Sequence, residues 1–215
     1  SGNTMNPGNP PNADGTPRAD GTPSADGISN SGSSSAQPQT SQTGGDTSSV
    51  IVVMSPESEP EAGFDPAYGW GAGEHVHEPL IQSTLTVTNS DLTIGYDLAT
   101  SVESSEDGLT WTVAIRDDVS FTDGEPLTAE DVAFTYNTVK AESSVNDFTM
   151  LDYAEAVDDG TVVFHMNRPY SIWPYTMALV GIVPEHAYSP DYGQHPIGSG
   201  RYELVQWDRG QQVIL

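Results

Sequence analysis

Between Gly108 and Lys140 the apolar positions follow two successive periods. Leu109, Trp111, Val113 and Ile115 alternate with Thr110, Thr112, Ala114 and Arg116, a period of two that lays four large apolar groups on one face of a strand. After an Asp117-Asp118 turn, Val119 and Phe121 resume the alternation, and residues 122–126 break it with turn-forming chemistry. The period then becomes helical. Val132, Tyr136 and Val139 fall at i, i+4 and i+7 on one face. Thr128 stands as N-cap with Asp131 at N3, while Leu127 and Val132 occupy N′ and N4, so capping box and hydrophobic staple coincide. Lys140 near the end complements the helix dipole.

The same reading extends outward. Residues 49–54 form a continuous apolar run suited to a strand buried on both faces. A glycine- and aromatic-rich loop over 64–73 leads to a predicted helix over 74–83. Residues 85–87 and 92–94 flank Asn89-Ser90-Asp91 as a hairpin, and Val162, Phe164 and Met166 alternate after an Asp159-Gly160 turn. Residues 173–179 predict a second helix with Pro174 in its first turn. Tyr202, Leu204 and Gln206 alternate with Glu203, Val205 and Trp207, and a turn at 208–210 leads into 212–215, where the chain stops inside a strand pattern.

Composition changes the picture at the N-terminus. The hexad Ala13-Asp14-Gly15-Thr16-Pro17-Arg18 repeats at 19–24 and begins again at Ala25. Residues 1–48 cannot bury enough apolar area to offset the entropy of ordering them and read as a disordered tether. The formal charge is −25, from 31 acidic and 6 basic residues, which opposes binding to nucleic acid or an anionic membrane surface. It fits either a salt-adapted organism or an acidic secreted protein. There is no cysteine, hence no disulfide or thiolate metal site. No run is apolar and long enough to span a membrane, and no signal peptide is evident, so the chain reads as a mature or trimmed form.

The run from Asp107 to Tyr136 resembles the signature region of family 5 extracellular solute-binding proteins, the peptide- and nickel-binding receptors of ABC importers. The resemblance continues through residues 95–100, Arg168-Pro169-Tyr170, the stretch Ile182-Val183-Pro184-Glu185-His186-Ala187-Tyr188, and residues 196–204, where the family carries proline at the position of Arg201. It covers roughly residues 50–215 and implies an α+β, periplasmic-binding-protein type II-like fold. The chain would supply the N-terminal partial lobe with an inserted small α/β subdomain, since family members are about twice as long. The implied organisation places first-lobe residues at 49–83, the inserted subdomain and return at 84–194, and a truncated return into the main lobe at 195–215.

Candidate chemistry is sparse. His75-Val76-His77-Glu78 could bind a metal if its backbone is not helical, because histidines two apart diverge on a helix; the alternative is surface or cleft-lining histidines, and no metal site is assigned. His165, His186 and His195 are scattered. No nucleophile elbow or cysteine–histidine signature points to an enzyme, and no cofactor is expected. Gly198-Ser199-Gly200 lacks the lysine of a phosphate loop and marks a tight backbone crossing. Tyr68 and Trp70, set between glycines, either line a pocket or fold back over the core.

The resemblance favours the pocket. It makes Tyr68, Trp70, Glu74 and His75 ligand contacts, with Glu74 placed to pair with a peptide amino group, and Phe148 stands for an aromatic that faces the ligand in nickel-binding relatives. The function it implies is the substrate-binding component of an ABC transporter, a monomer held by a lipid anchor on the extracellular face of the membrane or in the periplasm. Such a receptor captures an oligopeptide, dipeptide or metal chelate and delivers it to the permease. The alternative is a cell-surface protein-interaction module that uses half of the fold.

Overall fold

The computed structural model describes residues 51–53, 62–68, 79–143 and 147–215. The expected tether and the first half of the helix predicted over 74–83 lie outside them. The strands run β1 (Ile51–Val53), β2 (Thr86–Thr88), β3 (Ile94–Tyr96), β4 (Ala99–Ser104), β5 (Thr110–Ile115), β6 (Leu151–Asp158), β7 (Thr161–Met166), β8 (Gln206–Asp208) and β9 (Gln212–Ile214). Helix α1 (Ala129–Glu142) separates β5 from β6, and a single helical turn, α2 (Trp173–Thr176), follows β7.

The predicted strand and helix of the 108–140 segment form the centre of the larger unit. Strand β5 sits inside a four-stranded antiparallel sheet of order β4-β5-β7-β6. The strict alternation of β7 buries Val162, Phe164 and Met166 on one face. Helix α1 covers that face with Val132, Tyr136 and Val139, all essentially without solvent exposure. Its entry matches the sequence signature. Thr128 is the N-cap of a capping box with Asp131 at N3, and an Asp131 carboxylate oxygen accepts the Thr128 N–H at 2.9 Å. Leu127 and Val132, the staple pair, are both buried.

Between α1 and α2 the aromatic groups form one cluster. Trp173 lies edge-on to Phe164 and Phe148, with ring centroids 5.3 and 5.8 Å away, and tilted against Tyr136 at 5.6 Å. Each such contact adds to the area burial that these rings already provide.

The outer strand of this sheet, β6, departs from regular pairing at two places, between Leu151 and Tyr153 and between Ala156 and Asp158. Helix α1 reaches over it. The Asn137 side-chain amide donates to the Ala154 carbonyl at 2.8 Å and accepts the Ala154 N–H at 2.9 Å, as a neighbouring strand would. Lys140 Nζ donates to the carbonyl of Asp152.

The smaller unit is assembled from distant segments. Strand β9 pairs antiparallel with both β1 and β8. Phe64, Ile81, Val213 and Leu215 make its buried cluster, and the Phe64 ring meets Trp207 edge-on at 4.9 Å.

Two expectations are corrected. Residues 79–83 are not helical. They bend beside residues 198–202, where Gly200 N–H and Tyr202 N–H donate to the carbonyls of Ile81 and Leu80 at 2.8 and 3.2 Å, and Pro79 cannot supply a helical N–H. The second predicted helix shortens to the four residues of α2. The hairpin of β2 and β3 is present, with a turn that holds Leu92 at φ 65°.

Candidate functional site

The segment that precedes the expected ligand contacts is fastened at several points. Gly63 adopts φ 75°, and a Cβ there would lie 2.1 Å from the Gly193 carbonyl oxygen, so only glycine fits this crossing. Phe64 N–H donates to that same Gly193 carbonyl at 2.7 Å. Gln82 Nε2 donates both to the Phe64 carbonyl at 3.0 Å and to the Tyr192 hydroxyl at 3.1 Å. Tyr192 in turn donates to the Ile197 carbonyl at 2.7 Å.

Asp65 is the buried charge of this group. One carboxylate oxygen accepts the Ala67 N–H at 2.8 Å and closes the 65–68 turn; the other accepts the Tyr188 hydroxyl at 2.9 Å. Burial pushes the Asp65 carboxyl above its ordinary range, and the two hydrogen bonds act in the opposite direction. Burial, and then the Asp65 charge, push the Tyr188 phenol up. The Tyr188 ring is wedged between Phe134 of α1, 5.4 Å away, and Tyr192, 5.3 Å away.

At the end of the turn Tyr68 is 41% exposed and donates its hydroxyl to Glu142 Oε2, in the last turn of α1, at 3.0 Å. This bond is the main reason that the Tyr68 phenol is held above its usual value. An aromatic face is thereby presented to solvent with its polar tip fixed.

Of the five residues expected to contact a ligand, Tyr68 is therefore exposed and oriented. Trp70, Glu74 and His75 lie outside the described residues. Phe148 is placed otherwise: it is 4% exposed, packed between Tyr136 and Trp173, and so offers no face to a ligand in this structure. Its apolar ring finds more contact in the aromatic cluster than a surface position would give. The residues that position Tyr68, namely Asp65, Glu142 and Tyr188, were not singled out as site residues. The loop over 64–73 was legible, but the pairings that orient Tyr68 span 74 and 123 positions, which no local pattern reports.

Among the described residues no three histidine, cysteine or acidic side chains converge as metal ligands. His165 pairs with Glu155 at 2.9 Å and His186 with Asp123 at 2.8 Å. No helix among the described residues is long and apolar enough to cross a membrane.

Residues 93–215 match the family model of bacterial extracellular solute-binding proteins, family 5 middle. The chain is 34% identical over 182 residues to Protein XP55 of Streptomyces lividans, which covers 79% of this chain and 32% of that protein. Among solved structures it is similar to the oligopeptide-binding protein AppA of Bacillus subtilis in complex with a nonapeptide, with TM-score 0.62, 28% identity, and coverage of 73% of this chain and 34% of AppA. It is also similar to NikZ of Campylobacter jejuni in complex with Ni(L-His), with TM-score 0.64, 29% identity, and coverage of 73% and 33%. The chain thus spans about a third of the length of these relatives.

Proposed function

The chain belongs to the bacterial extracellular solute-binding proteins of family 5 and carries part of a periplasmic-binding-protein type II fold, and from that premise we propose that it forms one wall of a transport receptor's ligand cleft. The receptor captures a peptide or a metal chelate outside the cell and hands it to an ABC permease, without catalysis. It works as a monomer whose N-terminal tether leads back to a lipid anchor. Residues 84–194 form the inserted subdomain, between main-lobe segments at 49–83 and 195–215.

The observation that carries this reading is the family match over residues 93–215. Tyr68, held by Glu142 with its ring exposed, is the described residue best placed to meet a ligand. Trp70, Glu74 and His75 follow it in sequence and are proposed to share that wall. Relatives that bind a nonapeptide in one case and Ni(L-His) in another leave peptide and chelate as the two ligand classes. Their character as solute-binding proteins favours a receptor over a half-fold interaction module.

Titration calorimetry of the longer protein that carries this chain, against a peptide library and against nickel–histidine, tests the proposal. Saturable binding of one class is expected. Trp70→Ala should weaken it by about 1 kcal/mol or more, as for an aromatic anchor in a binding site. Absence of binding to both classes would overturn the receptor reading.

A further inference from the structure

A second cleft, of about 640 Å³, opens between residues 79–83, the 96–98 and 116–120 segments, and the 199–202 crossing. Tyr68, Asp65, Glu142 and Tyr188 are not in its lining; Gln82, which fastens the Phe64 carbonyl, borders it. Its rear wall is rigid. Gly198 and Gly200 approach the Ile81 backbone so closely that a Cβ would lie 2.0 and 2.7 Å from Ile81 atoms, and the Ser83 hydroxyl donates to the Ser199 carbonyl at 2.9 Å.

The cleft departs from the acidity of the chain, since two arginines balance the two carboxylates in its lining. Against 31 acidic residues the whole sequence has 6 basic ones, yet two of those six, Arg116 and Arg201, line this single cleft. Both carboxylates in the lining are already engaged. Asp118 is held bidentate by Arg116 at 2.5 and 2.7 Å, and Asp97 accepts the Thr84 N–H at 3.0 Å. Arg201 makes no ion pair among the described residues. The Oγ of Ser199, the residue before Gly200, is buried without a hydrogen-bond partner. Two aromatic rings, the half-exposed Tyr96 and the partly buried Tyr202, complete the walls.

A planar guanidinium with open donors, a spare hydroxyl and two phenol rings suit an anion carried on a small apolar or planar body. We propose that this cleft binds a carboxylate through Arg201, with the attached group lying against Tyr96 and Tyr202. The carboxylate is either that of a free organic acid or an acidic side chain of a partner protein. Arg116, paired with Asp118, shapes the wall and leaves Arg201 as the arginine with open donors. This inference is independent of the transport reading, since the cleft and its charges stand whatever the Tyr68 site binds.

The test is an NMR titration of the full 215-residue chain with two probes in parallel, N-acetylglutamate and a blocked Gly-Glu-Glu-Gly peptide. Saturable shifts are expected at Arg201, Tyr96 and Tyr202. Arg201→Gln should weaken the response by about tenfold or more, the loss of a charge-assisted contact, while Arg201→Lys, which keeps the charge but not the fork, should retain part of it. A response to N-acetylglutamate assigns the cleft to free acids; a response to the peptide alone assigns it to a protein partner. Shifts that survive Arg201→Gln unchanged, or no saturable response to either probe, would overturn the proposal. Unaltered amide shifts in β5 and α1 of the variants verify that each remains folded.

Discussion

The four-stranded sheet with α1 and the three-stranded sheet of β1, β9 and β8 are stabilised on different scales. In the first, neighbours in space are mostly neighbours in sequence: β4 with β5 and β6 with β7 are hairpins, and α1 lies between them. Its core includes four large aromatic rings in mutual contact. In the second, β1 must find β9 across more than half the chain, and among the described residues the buried cluster is Phe64, Ile81, Val213 and Leu215. Closing so long a loop costs entropy that few buried groups offset. The difference teaches that the four-stranded sheet with α1 draws mostly on pairings close in sequence, while the smaller sheet draws on segments far apart.

The sharpest way to break that comparison is to remove one core group from each side. Trp173→Ala should cost about 3–5 kcal/mol, because the ring is fully buried and meets four other aromatics. Val213→Ala should cost roughly 1.5 kcal/mol, from two methyl groups at about 0.8 kcal/mol each. Urea denaturation of both variants measures this. One common transition means one cooperative unit, whereas a transition that splits only in Val213→Ala would make the small sheet a separate one.

The local signals of the larger unit are tested next. Thr128→Ala removes the N-cap hydroxyl of α1 and should lower stability by about 0.5–2 kcal/mol in the same assay. A loss below a few tenths would mean that the Leu127 and Val132 staple suffices alone.

A smaller effect depends on pH. The hydrogen bond to Asp123 raises the His186 pKa above its ordinary 6.5, so the stabilisation this group contributes is complete below about that pH and fades as pH climbs through the raised folded value. The same bond, named first among its causes, lowers the Asp123 carboxyl from 3.8, so its contribution holds above that value and is lost as pH falls through the lower folded one. Both are intact between 3.8 and 6.5. The melting-temperature difference between the parent and His186→Ala should be greatest in that window and narrow above it. A difference independent of pH would remove the pair as a contributor.

The smallest expected change is at Tyr136, whose buried hydroxyl has no hydrogen-bond partner. Tyr136→Phe should leave stability within about 0.5 kcal/mol or raise it, since no bond is lost and a desolvated polar group is removed. A loss of about 2 kcal/mol in urea would show instead that the hydroxyl is satisfied.

Legibility in the sequence followed the same division. Alternation in β5 and β7, the capped start of α1 and the β2–β3 hairpin were all readable, because each is set by residues within a few positions of one another. Residues 79–83 were read as helix because their bonding partners, at 198–202, lie far along the chain. The predicted strand at Tyr202 and Leu204 begins only at Gln206, since the Tyr202 N–H is taken up by Leu80. At the candidate site, Tyr68 was identifiable as an aromatic beside glycine, but the Asp65–Tyr188 and Tyr68–Glu142 bonds that orient it were not. Phe148 shows the converse: its chemistry suited a ligand wall, and burial decided its place.

The two irregularities of β6 and the Asn137 amide that answers Ala154 bear on how this protein behaves when crowded with copies of itself. An outer strand with regular spacing and open peptide groups is a template onto which another molecule can grow, the first step toward fibrils and precipitates. Here the bulges interrupt the template's rhythm at both ends, and a side chain from α1 occupies the peptide groups in the middle. Asp152, Glu155 and Asp158 add like charge along the same edge. An approaching strand would have to displace Asn137 and straighten β6 before gaining its first bonds, so the edge resists self-templating even at high concentration.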